Sequence, residues 1–523
     1  MKSFGTAIRR MLACVVLTAT AAMSACTMPD LGDLADIDIS VGTGGQLDVV
    51  AATELKIVEP LLAKAEEDLG FDINMQFPDG TLNNSQHLRL GLFDGEYDAT
   101  WFATNRYADI IGASNKLAGG TSIARSPVVF GVKTQRAQEL GWIDRQPTWQ
   151  EIADSGLTFG MTDPTSSNSG FSALAAVTTA FADTGRALSV DDIAQAAPRV
   201  QHFFSNQTLT SGSSGWLADR FMEDSGQADA IINYEAVLYS LQDQGADLQV
   251  VVPADGVISA DYPLSPLAEP EHDDAAEKVA ALTEWLSQHQ EELGALHLRT
   301  DSTDMPHTVF ELPYPGDQDT VTTLQEAYSQ DLRKPGTTVF ALDTSGSMEG
   351  QRIEELKATM VSLLNGTAQT TTGNVSFRNR ERITLLPFAT EPYAPTFAVV
   401  DSADPAAVKP LIDRVNDFQA IGFTSIFSTL RMAYETIDVS DGAIGSIVLM
   451  SDGEATRGGT FAEFRDFYAT LPPEKQRVPV FVILYGEANV EEMRQLAELT
   501  GGATFDALGG DLAAAFEEIR AYQ

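Results

Sequence analysis

Cysteine is almost absent from this chain, which has two in 523 residues, so a disulfide framework is excluded. Histidine is also scarce, and the six that occur show no paired spacing of the kind that zinc ligands adopt. Lysine and arginine number 33 against 74 aspartates and glutamates, which gives a net charge of -41. This imbalance argues against nucleic acid and anionic membrane surfaces as partners, and it is typical of a solvated, salt-tolerant surface.

Long apolar runs are missing beyond the N-terminus, because no later stretch approaches the ~20 uninterrupted apolar residues of a membrane-spanning helix. The N-terminus itself has a basic start and an apolar stretch from Met11 to Ala22. Small residues follow up to Cys26. This layout predicts a secretory signal over residues 1–25, so we expect the mature chain to leave the cytoplasm.

The segment Met23-Ser24-Ala25-Cys26 resembles a bacterial lipobox. The resemblance implies that Cys26 is lipidated on its thiol and becomes the new N-terminus. Cys14 lies within the predicted signal, so Cys26 has no intramolecular partner. The alternative is ordinary cleavage that leaves Cys26 as a free thiol. Residues 26–45 are acidic and punctuated by glycine, which predicts a flexible tether between a lipid and the first domain.

Short apolar runs alternate with amphipathic ones along the rest of the chain, and this pattern predicts an α/β fold with parallel sheets and crossover helices. Residues 46–310 contain two such sets, which predicts a bilobed domain made of two α/β lobes. Residues 311–336 contain several prolines and are predicted to form a connector with one helix. Residues 337–523 predict a doubly wound, Rossmann-like domain, in which ligands bind at the carboxyl ends of the strands. Its predicted strands are Thr338–Leu342, Arg382–Phe388, Ser446–Met450 and Val478–Tyr485.

Catalytic motifs are missing as well. The chain has no G-x-S-x-G elbow, no H-E-x-x-H helix and no cysteine in a setting that suits a nucleophile. Acidic pairs such as Glu354-Glu355 and Glu491-Glu492 lie in helical patterns, and we interpret them as solvated faces. We therefore expect a binding protein and not an enzyme.

The apolar run Val339–Leu342 leads directly into small oxygen donors in the sequence Asp343-Thr344-Ser345-Gly346-Ser347. One carboxylate and two hydroxyls are ligand types that suit Mg²⁺, Mn²⁺ or Ca²⁺ better than zinc or copper. Two later segments end at the same predicted sheet edge and add a threonine and an aspartate. The sequence therefore predicts one metal site formed by Asp343, Ser345, Ser347, Thr424 and Asp452.

Other interpretations of this loop stay open. The residues Asp343, Thr344 and Ser345 would also suit a strand-end turn with a simple helix cap. A phosphoaspartyl enzyme would place an aspartate after the first strand, but it would need a second aspartate where Ser345 stands. A Walker phosphate loop would need Lys-Ser or Lys-Thr, which this loop lacks. A metal-assisted phosphatase is the enzymatic alternative.

The D-x-S-x-S loop with a distant threonine and a distant aspartate resembles the metal-ion-dependent adhesion site (MIDAS) of von Willebrand factor A (VWA) domains. The resemblance covers residues 337–523, and Phe423 stands where that family often has glycine. It implies that the two serines and Thr424 coordinate the metal directly or through water and that the aspartates act partly through water. It also implies that an acidic side chain of a partner protein completes the metal shell.

Six hydroxyl or amide side chains lie between Phe159 and Phe171, at a predicted junction of strand and helix. Backbone N–H groups at such a junction suit an oxyanion or a carboxylate, and a helix cap with a polar loop is the alternative. With neighbouring segments such as Ala51-Ala52-Thr53, the run resembles type II extracytoplasmic solute-binding proteins, in the branch that includes molybdate-type binders. The resemblance implies a ligand cleft that contains Thr53, Thr104, Ser126, Ser167, Ser169 and Asn233.

Together these features predict an extracytoplasmic protein, held to the bacterial cell membrane only by its lipid, that uses a divalent cation to bind a partner protein. The alternative is the substrate-binding component of an ABC-type transport system for a small solute, an anionic one included, with the VWA domain as an accessory.

Overall fold

A computed structural model describes residues 45–223, 228–303, 305–369, 374–439, 443–451, 455–484 and 490–506, together with residues 512, 515, 516 and 519. The predicted signal over residues 1–25, the lipidation residue Cys26 and the predicted metal ligand Asp452 lie outside this part of the chain. Within it, no helix combines the length and apolar character that a bilayer span requires.

The first eleven strands lie between residues 46 and 266. Their bounds are β1 Gln46–Ala51, β2 Asp72–Gln76, β3 Ala99–Trp101, β4 Thr121–Ser122, β5 Ser126–Lys133, β6 Phe159–Thr162, β7 Gln207–Ser211, β8 Ala230–Tyr234, β9 Leu248–Val251, β10 Ser259–Ala260 and β11 Pro263–Pro266. Most are short and have mainly buried residues, which fits sheets that are covered by helices on both faces.

These strands form two sheets, which correspond to the two predicted lobes. Lobe 1 has the strand order β2-β1-β3-β11-β4, and lobe 2 has the order β10-β5-β8-β6-β7 with β9 also paired to β5. The chain passes between the lobes twice, from β4 to β5 and from β10 to β11. The prediction of parallel sheets is incomplete, because β11 runs antiparallel to β3 and β5 runs antiparallel to β8. Both exceptions are strands that follow a passage from one lobe to the other.

Helices cover these sheets, beginning with a short 3₁₀ segment at Thr53–Val58. The helices are Glu59–Leu69, Thr81–Arg89, Arg106–Ile110, Thr134–Leu140, Trp149–Asp154, Asn168–Ala182, Val190–Phe204, Ser214–Glu223, Glu235–Asp243, Ala275–Gln288 and Gln290–Ala295. The sequence did not predict Val190–Phe204, which contains Pro198. A capping box at Ser189 and Asp192 starts this helix.

An aromatic core in lobe 2 holds the start of the polar run that follows β6. The rings of Phe159 and Phe203 stack with their centroids 4.7 Å apart, and Phe203 also meets Trp149 at 5.5 Å. All three side chains are buried. Because Phe159 opens β6, this packing fixes the strand from which the polar run emerges.

The remaining strands form the sheet of the third predicted domain, apart from a small hairpin of β13 and β14. Their bounds are β12 Gly336–Asp343, β13 Ala368–Gln369, β14 Asn374–Val375, β15 Arg382–Phe388, β16 Thr396–Val399, β17 Ile444–Ser451, β18 Val480–Leu484 and β19 Thr504–Asp506. The sheet order is β16-β15-β12-β17-β18-β19, and every pairing is parallel except that of β16 with β15. The helices are Gln351–Leu364, Lys409–Asn416, Ile426–Thr436, Phe461–Tyr468, Pro473–Gln476 and Val490–Thr500.

The two parts of the chain are joined by a helix at Gln318–Ala327 that continues as a π-helical turn to Leu332. Tyr328 packs on Phe204 of lobe 2 with ring centroids 5.1 Å apart. On its other side, the Gln330 side chain accepts a hydrogen bond of 2.9 Å from the backbone of Asn379, close to the start of β15. Lobe 2 therefore contacts the edge at which the parallel strands begin, and the opposite edge carries Asp343.

Candidate functional site

Asp343 is the last residue of β12, the central strand of the third sheet, and its side chain is fully buried. Its Oδ1 accepts a hydrogen bond of 2.8 Å from the backbone N–H of Ser345, and its Oδ2 accepts one from the hydroxyl of Ser451. The hydroxyls of Ser345 and Ser347 lie 3.0 Å apart. These contacts fold the loop so that its oxygen donors face one another at the carboxyl edge of the sheet.

A second loop is hydrogen-bonded to the first. The carbonyl of Gly422 accepts from the N–H of Gly346 at 3.0 Å, and the carbonyl of Thr344 accepts from the N–H of Ile421 at 2.9 Å. These two bonds place Thr424 beside the D-x-S-x-S loop. The hydroxyl of Ser425, the next residue, is buried and has no hydrogen-bond partner among the residues that the structure describes.

Among the described residues, the predicted ligands at this edge fit a hard cation, since they offer one carboxylate and three neutral hydroxyls. Four of the five predicted ligands lie here: Asp343, Ser345, Ser347 and Thr424. The fifth, Asp452, follows the last residue of β17 in sequence and lies outside the described residues. The metal assignment therefore stays a prediction that this geometry favours.

Gly422 is needed for the second loop to adopt this path. Its φ is +88°, and a Cβ atom there would lie 2.6 Å from Oγ1 of Thr390. We expect Gly422→Ala to lower the free energy of unfolding by about 1–3 kcal/mol, because it combines backbone strain with a steric overlap. Urea denaturation measures this change. Gly316→Ala is the control, since a Cβ there meets nothing within 4 Å, and an equal loss in both variants would contradict the explanation.

The rim of this site is apolar and basic. Ile421 is 61% exposed and Phe423 is 53% exposed, although both are large hydrophobic residues. The guanidinium of Arg457 lies 4.9 Å from the centre of the Phe423 ring. A partner that reached the metal site would therefore meet an aromatic ring and a positive charge.

Lobes 1 and 2 are in direct contact across the cleft between them. The backbones of the two lobes approach each other so closely that a Cβ on Gly80 of lobe 1 would lie 2.8 Å from the carbonyl oxygen of Ser166 in lobe 2. Tyr107 of lobe 1 and Phe171 of lobe 2 meet with ring centroids 6.4 Å apart. The polar run after β6 thus lies against lobe 1.

Three of the six predicted cleft residues belong to one hydrogen-bond network in lobe 2. The hydroxyl of Ser169 lies 2.8 Å from those of Thr162 and Ser214 and 3.3 Å from that of Ser167. Asn233 joins the network by donating a hydrogen bond of 2.9 Å to the carbonyl of Ser214. All of these side chains are buried.

The other three predicted cleft residues make separate contacts. Ser126 accepts a hydrogen bond of 3.0 Å from the N–H of Ala236, and Thr104 accepts one of 3.3 Å from the N–H of Arg106. Both hydroxyls therefore have backbone partners. Thr53 is half-buried at the start of the 3₁₀ segment. The cleft role of all six residues stays a prediction.

Glu54 is a buried carboxyl residue that the sequence analysis did not select. It lies at the start of the 3₁₀ segment of lobe 1 and is 7% exposed. Burial raises its pKa from 4.5 to about 7, while its own N–H and the Tyr234 and Thr53 hydroxyls oppose the rise. An acidic residue at the start of a helix ordinarily complements the helix dipole, and for this reason its sequence position gave no functional signal.

Tyr234 and Tyr262 lie next to this carboxyl group, with ring centroids 6.1 Å apart. Burial raises the pKa of both phenols well above 10, and the nearby Glu54 adds to the rise. Tyr262 also has a φ of +41° in the passage from β10 to β11, a rare conformation for a non-glycine residue. Both phenols therefore remain neutral where the two lobes meet.

The fold has a bilobed part that is similar to solute-binding proteins and a C-terminal part that is similar to VWA domains. Residues 79–290 match the family of bacterial extracellular solute-binding proteins, and residues 338–509 match the von Willebrand factor type A domain. The chain therefore combines a solute-binding domain with a C-terminal VWA domain, and the predicted fold class is confirmed. Both are binding-type domains.

Individual relatives cover parts of the chain. Human inter-alpha-trypsin inhibitor heavy chain H4 is 26% identical over 140 residues, which are 24% of this chain and 13% of that protein. The periplasmic binding protein AfuA from Actinobacillus pleuropneumoniae is 15% identical and covers 56% of this chain and 99% of its own, with a TM-score of 0.45. A von Willebrand factor type A structure from Catenulispora acidiphila is 20% identical, covers 36% of this chain and 42% of its own, and has a TM-score of 0.29.

Proposed function

We propose that this protein is a lipid-anchored extracytoplasmic binding protein whose VWA domain holds a divalent cation, Mg²⁺ or a similar ion, and uses it to bind a partner protein. The metal ligands would be Asp343, Ser345, Ser347, Thr424 and Asp452. The observation that supports this most directly is the pair of backbone hydrogen bonds that joins the loop of Thr424 to the D-x-S-x-S loop.

The cation would supply a coordination position for an oxygen ligand from outside the chain. Neutral hydroxyls leave much of its charge unneutralised, so a partner's carboxylate is the favoured ligand. The exposed Phe423 and Ile421 and the nearby Arg457 suit a partner whose acidic residue is flanked by apolar side chains. The site lies on the edge away from lobe 2, which leaves it accessible to a large ligand.

Calorimetry with MgCl₂ and MnCl₂ on the full-length protein tests the metal site. We expect Asp343→Asn to weaken cation binding by about 10- to 100-fold, because the carboxylate orients both the loop N–H of Ser345 and the Ser451 hydroxyl. Asp466→Asn is the matched control, since the side chain of Asp466 is 78% exposed and lies on the helix Phe461–Tyr468. If wild-type protein bound neither cation, or if the two variants behaved alike, the proposal would be wrong.

A second candidate function is solute capture for an ABC-type transport system, with the VWA domain as an accessory. The buried hydrogen-bond network on the lobe 2 side of the cleft favours this candidate. Solute-induced thermal stabilisation that persists in Asp343→Asn would support capture independently of the metal site.

A further inference from the structure

The region where the two lobes meet contains buried acceptor oxygens that lack donors. Oε1 of Glu54 and Oδ1 of Asn168 are both buried and accept no hydrogen bond from the residues that the structure describes. Glu54 belongs to lobe 1, and Asn168 is the first residue of the lobe 2 helix that follows the polar run. They are 7% and 3% exposed, so bulk water does not compensate them.

Tyr234 connects these two residues. Its hydroxyl accepts a hydrogen bond of 3.0 Å from Nδ2 of Asn168 and interacts with the carboxyl group of Glu54. A phenol has one proton, which an ionised Glu54 attracts, so the Asn168 amide must present its NH₂ group to the tyrosine. This fixes Oδ1 of Asn168 as the unpartnered atom of the amide. The single proton of Tyr234 also leaves one carboxylate oxygen of Glu54 unpartnered.

Two more acceptors of lobe 1 share this property. Oδ1 of Asn84 and Oε1 of Gln86 are buried without partners, although the NH₂ groups of both side chains donate, to the Asp79 carbonyl at 2.8 Å and to the Tyr107 hydroxyl at 3.1 Å. Rotating Asn84 by 180° would place its oxygen against another carbonyl, so its orientation is fixed. The helix that bears them begins at Thr81, directly after the lobe contact at Gly80.

The charges around Glu54 also favour a cation as the ligand. No basic side chain contributes to the electrostatic environment of Glu54 among the described groups that act on it. An oxyanion beside Glu54 and Asn168 would meet a carboxylate and an amide oxygen, whereas a cation with N–H donors would satisfy both. The adjacent rings of Tyr234 and Tyr262 add apolar surface that an organic cation tolerates well.

We propose that the interlobe cleft binds a small organic ammonium ion, whose N–H groups donate to Glu54 and Asn168. This inference rests on the proposed solute-binding role of the cleft, and it names the ligand as a cation instead of an anion. The ionised carboxylate binds the ligand, so affinity rises as the pH increases through about 7, the pKa of Glu54.

The test uses full-length protein at pH 8 and follows thermal unfolding and calorimetry with two sets of probes. The cationic set is ethanolamine, putrescine, methylammonium and guanidinium, and the anionic set is sulfate and phosphate. We expect a cationic probe to raise Tm and to bind at least tenfold more weakly to Glu54→Gln, which keeps the shape of the side chain and removes its charge. Glu59→Gln is the matched control, because Glu59 lies five residues after Glu54 and its side chain is exposed.

Each outcome decides the assignment. Stabilisation by sulfate or phosphate would overturn the cation and leave solute binding in place. Stabilisation by neither set, with trapped water as the remaining occupant, would overturn both the cation and the solute-binding role. Cation binding that is unchanged in Glu54→Gln would place the ligand elsewhere and overturn the assignment. Metal binding at the VWA domain is measured separately with Asp343→Asn, so failure there is distinguishable.

Discussion

Arg378→Ala is expected to lower the free energy of unfolding by about 3–5 kcal/mol, because it leaves a buried carboxylate without its counter-ion. Nη2 of Arg378 lies 2.7 Å from Oδ2 of Asp163, and the two side chains are 14% and 1% exposed. Asp163 follows β6 in lobe 2, whereas Arg378 precedes β15 of the VWA domain. Urea denaturation of the full-length protein measures the loss.

The control is Arg465→Ala, since Arg465 is 59% exposed and lies 3.8 Å from its acidic neighbour. Its expected effect is below about 0.5 kcal/mol. The double variant Asp163→Asn with Arg378→Ala should recover part of the stability, because it removes the uncompensated charge. A loss below about 1 kcal/mol in Arg378→Ala would contradict the role assigned to this ion pair.

This ion pair also links the VWA domain to the polar run of lobe 2. Oδ1 of Asp163 accepts hydrogen bonds from the N–H and the hydroxyl of Thr165, and so it shapes the polar run that leads to Ser167 and Asn168. The VWA domain thereby holds a loop of the cleft in place. Arg378→Ala would alter the solute affinity only if the loop binds solute differently with and without this ion pair.

Much of the third domain could be predicted from sequence because local patterns determine it. Strand β15 has the predicted bounds, and β12 ends at the predicted metal loop, since a continuous apolar run gives way abruptly to small oxygen donors. The prediction of the metal site required only one further fact, which is that parallel strands end at the same edge of a sheet. The long-range contact of Gly346 with Gly422 follows from that geometry.

The cleft was harder to predict because burial there depends on two lobes that are distant in sequence. The helix at Thr81–Arg89 begins directly after Gly80, where the lobes touch. The hydroxyl residues were selected by family resemblance, whereas Glu54 was not. Nothing in the local sequence indicates that this carboxyl group is enclosed by Tyr234 and Tyr262, which follow it by about 200 residues.

Glu54 should make the stability of the ligand-free protein fall between about pH 5 and pH 8. Its pKa is about 7 in the folded protein, compared with 4.5 when unburied, so the folded state binds the proton more tightly. The stabilisation is fully present below pH 4.5 and is lost as the pH rises through 7. Over that window the loss is about 3 kcal/mol, because each tenfold difference in proton affinity is worth about 1.4 kcal/mol.

The measurement is the difference in free energy of unfolding between wild-type protein and Glu54→Gln at several pH values in amine-free buffer. Wild type should lose stability relative to the variant as the pH rises, because glutamine stays neutral. Tyr234 and Tyr262 do not contribute in this range, since burial raises the pKa of each phenol well above 10. Glu59→Gln should show a constant difference, and a constant difference for Glu54→Gln as well would mean that the carboxyl group is solvated. An ammonium ligand should reverse the trend, because it stabilises the ionised form that burial alone disfavours.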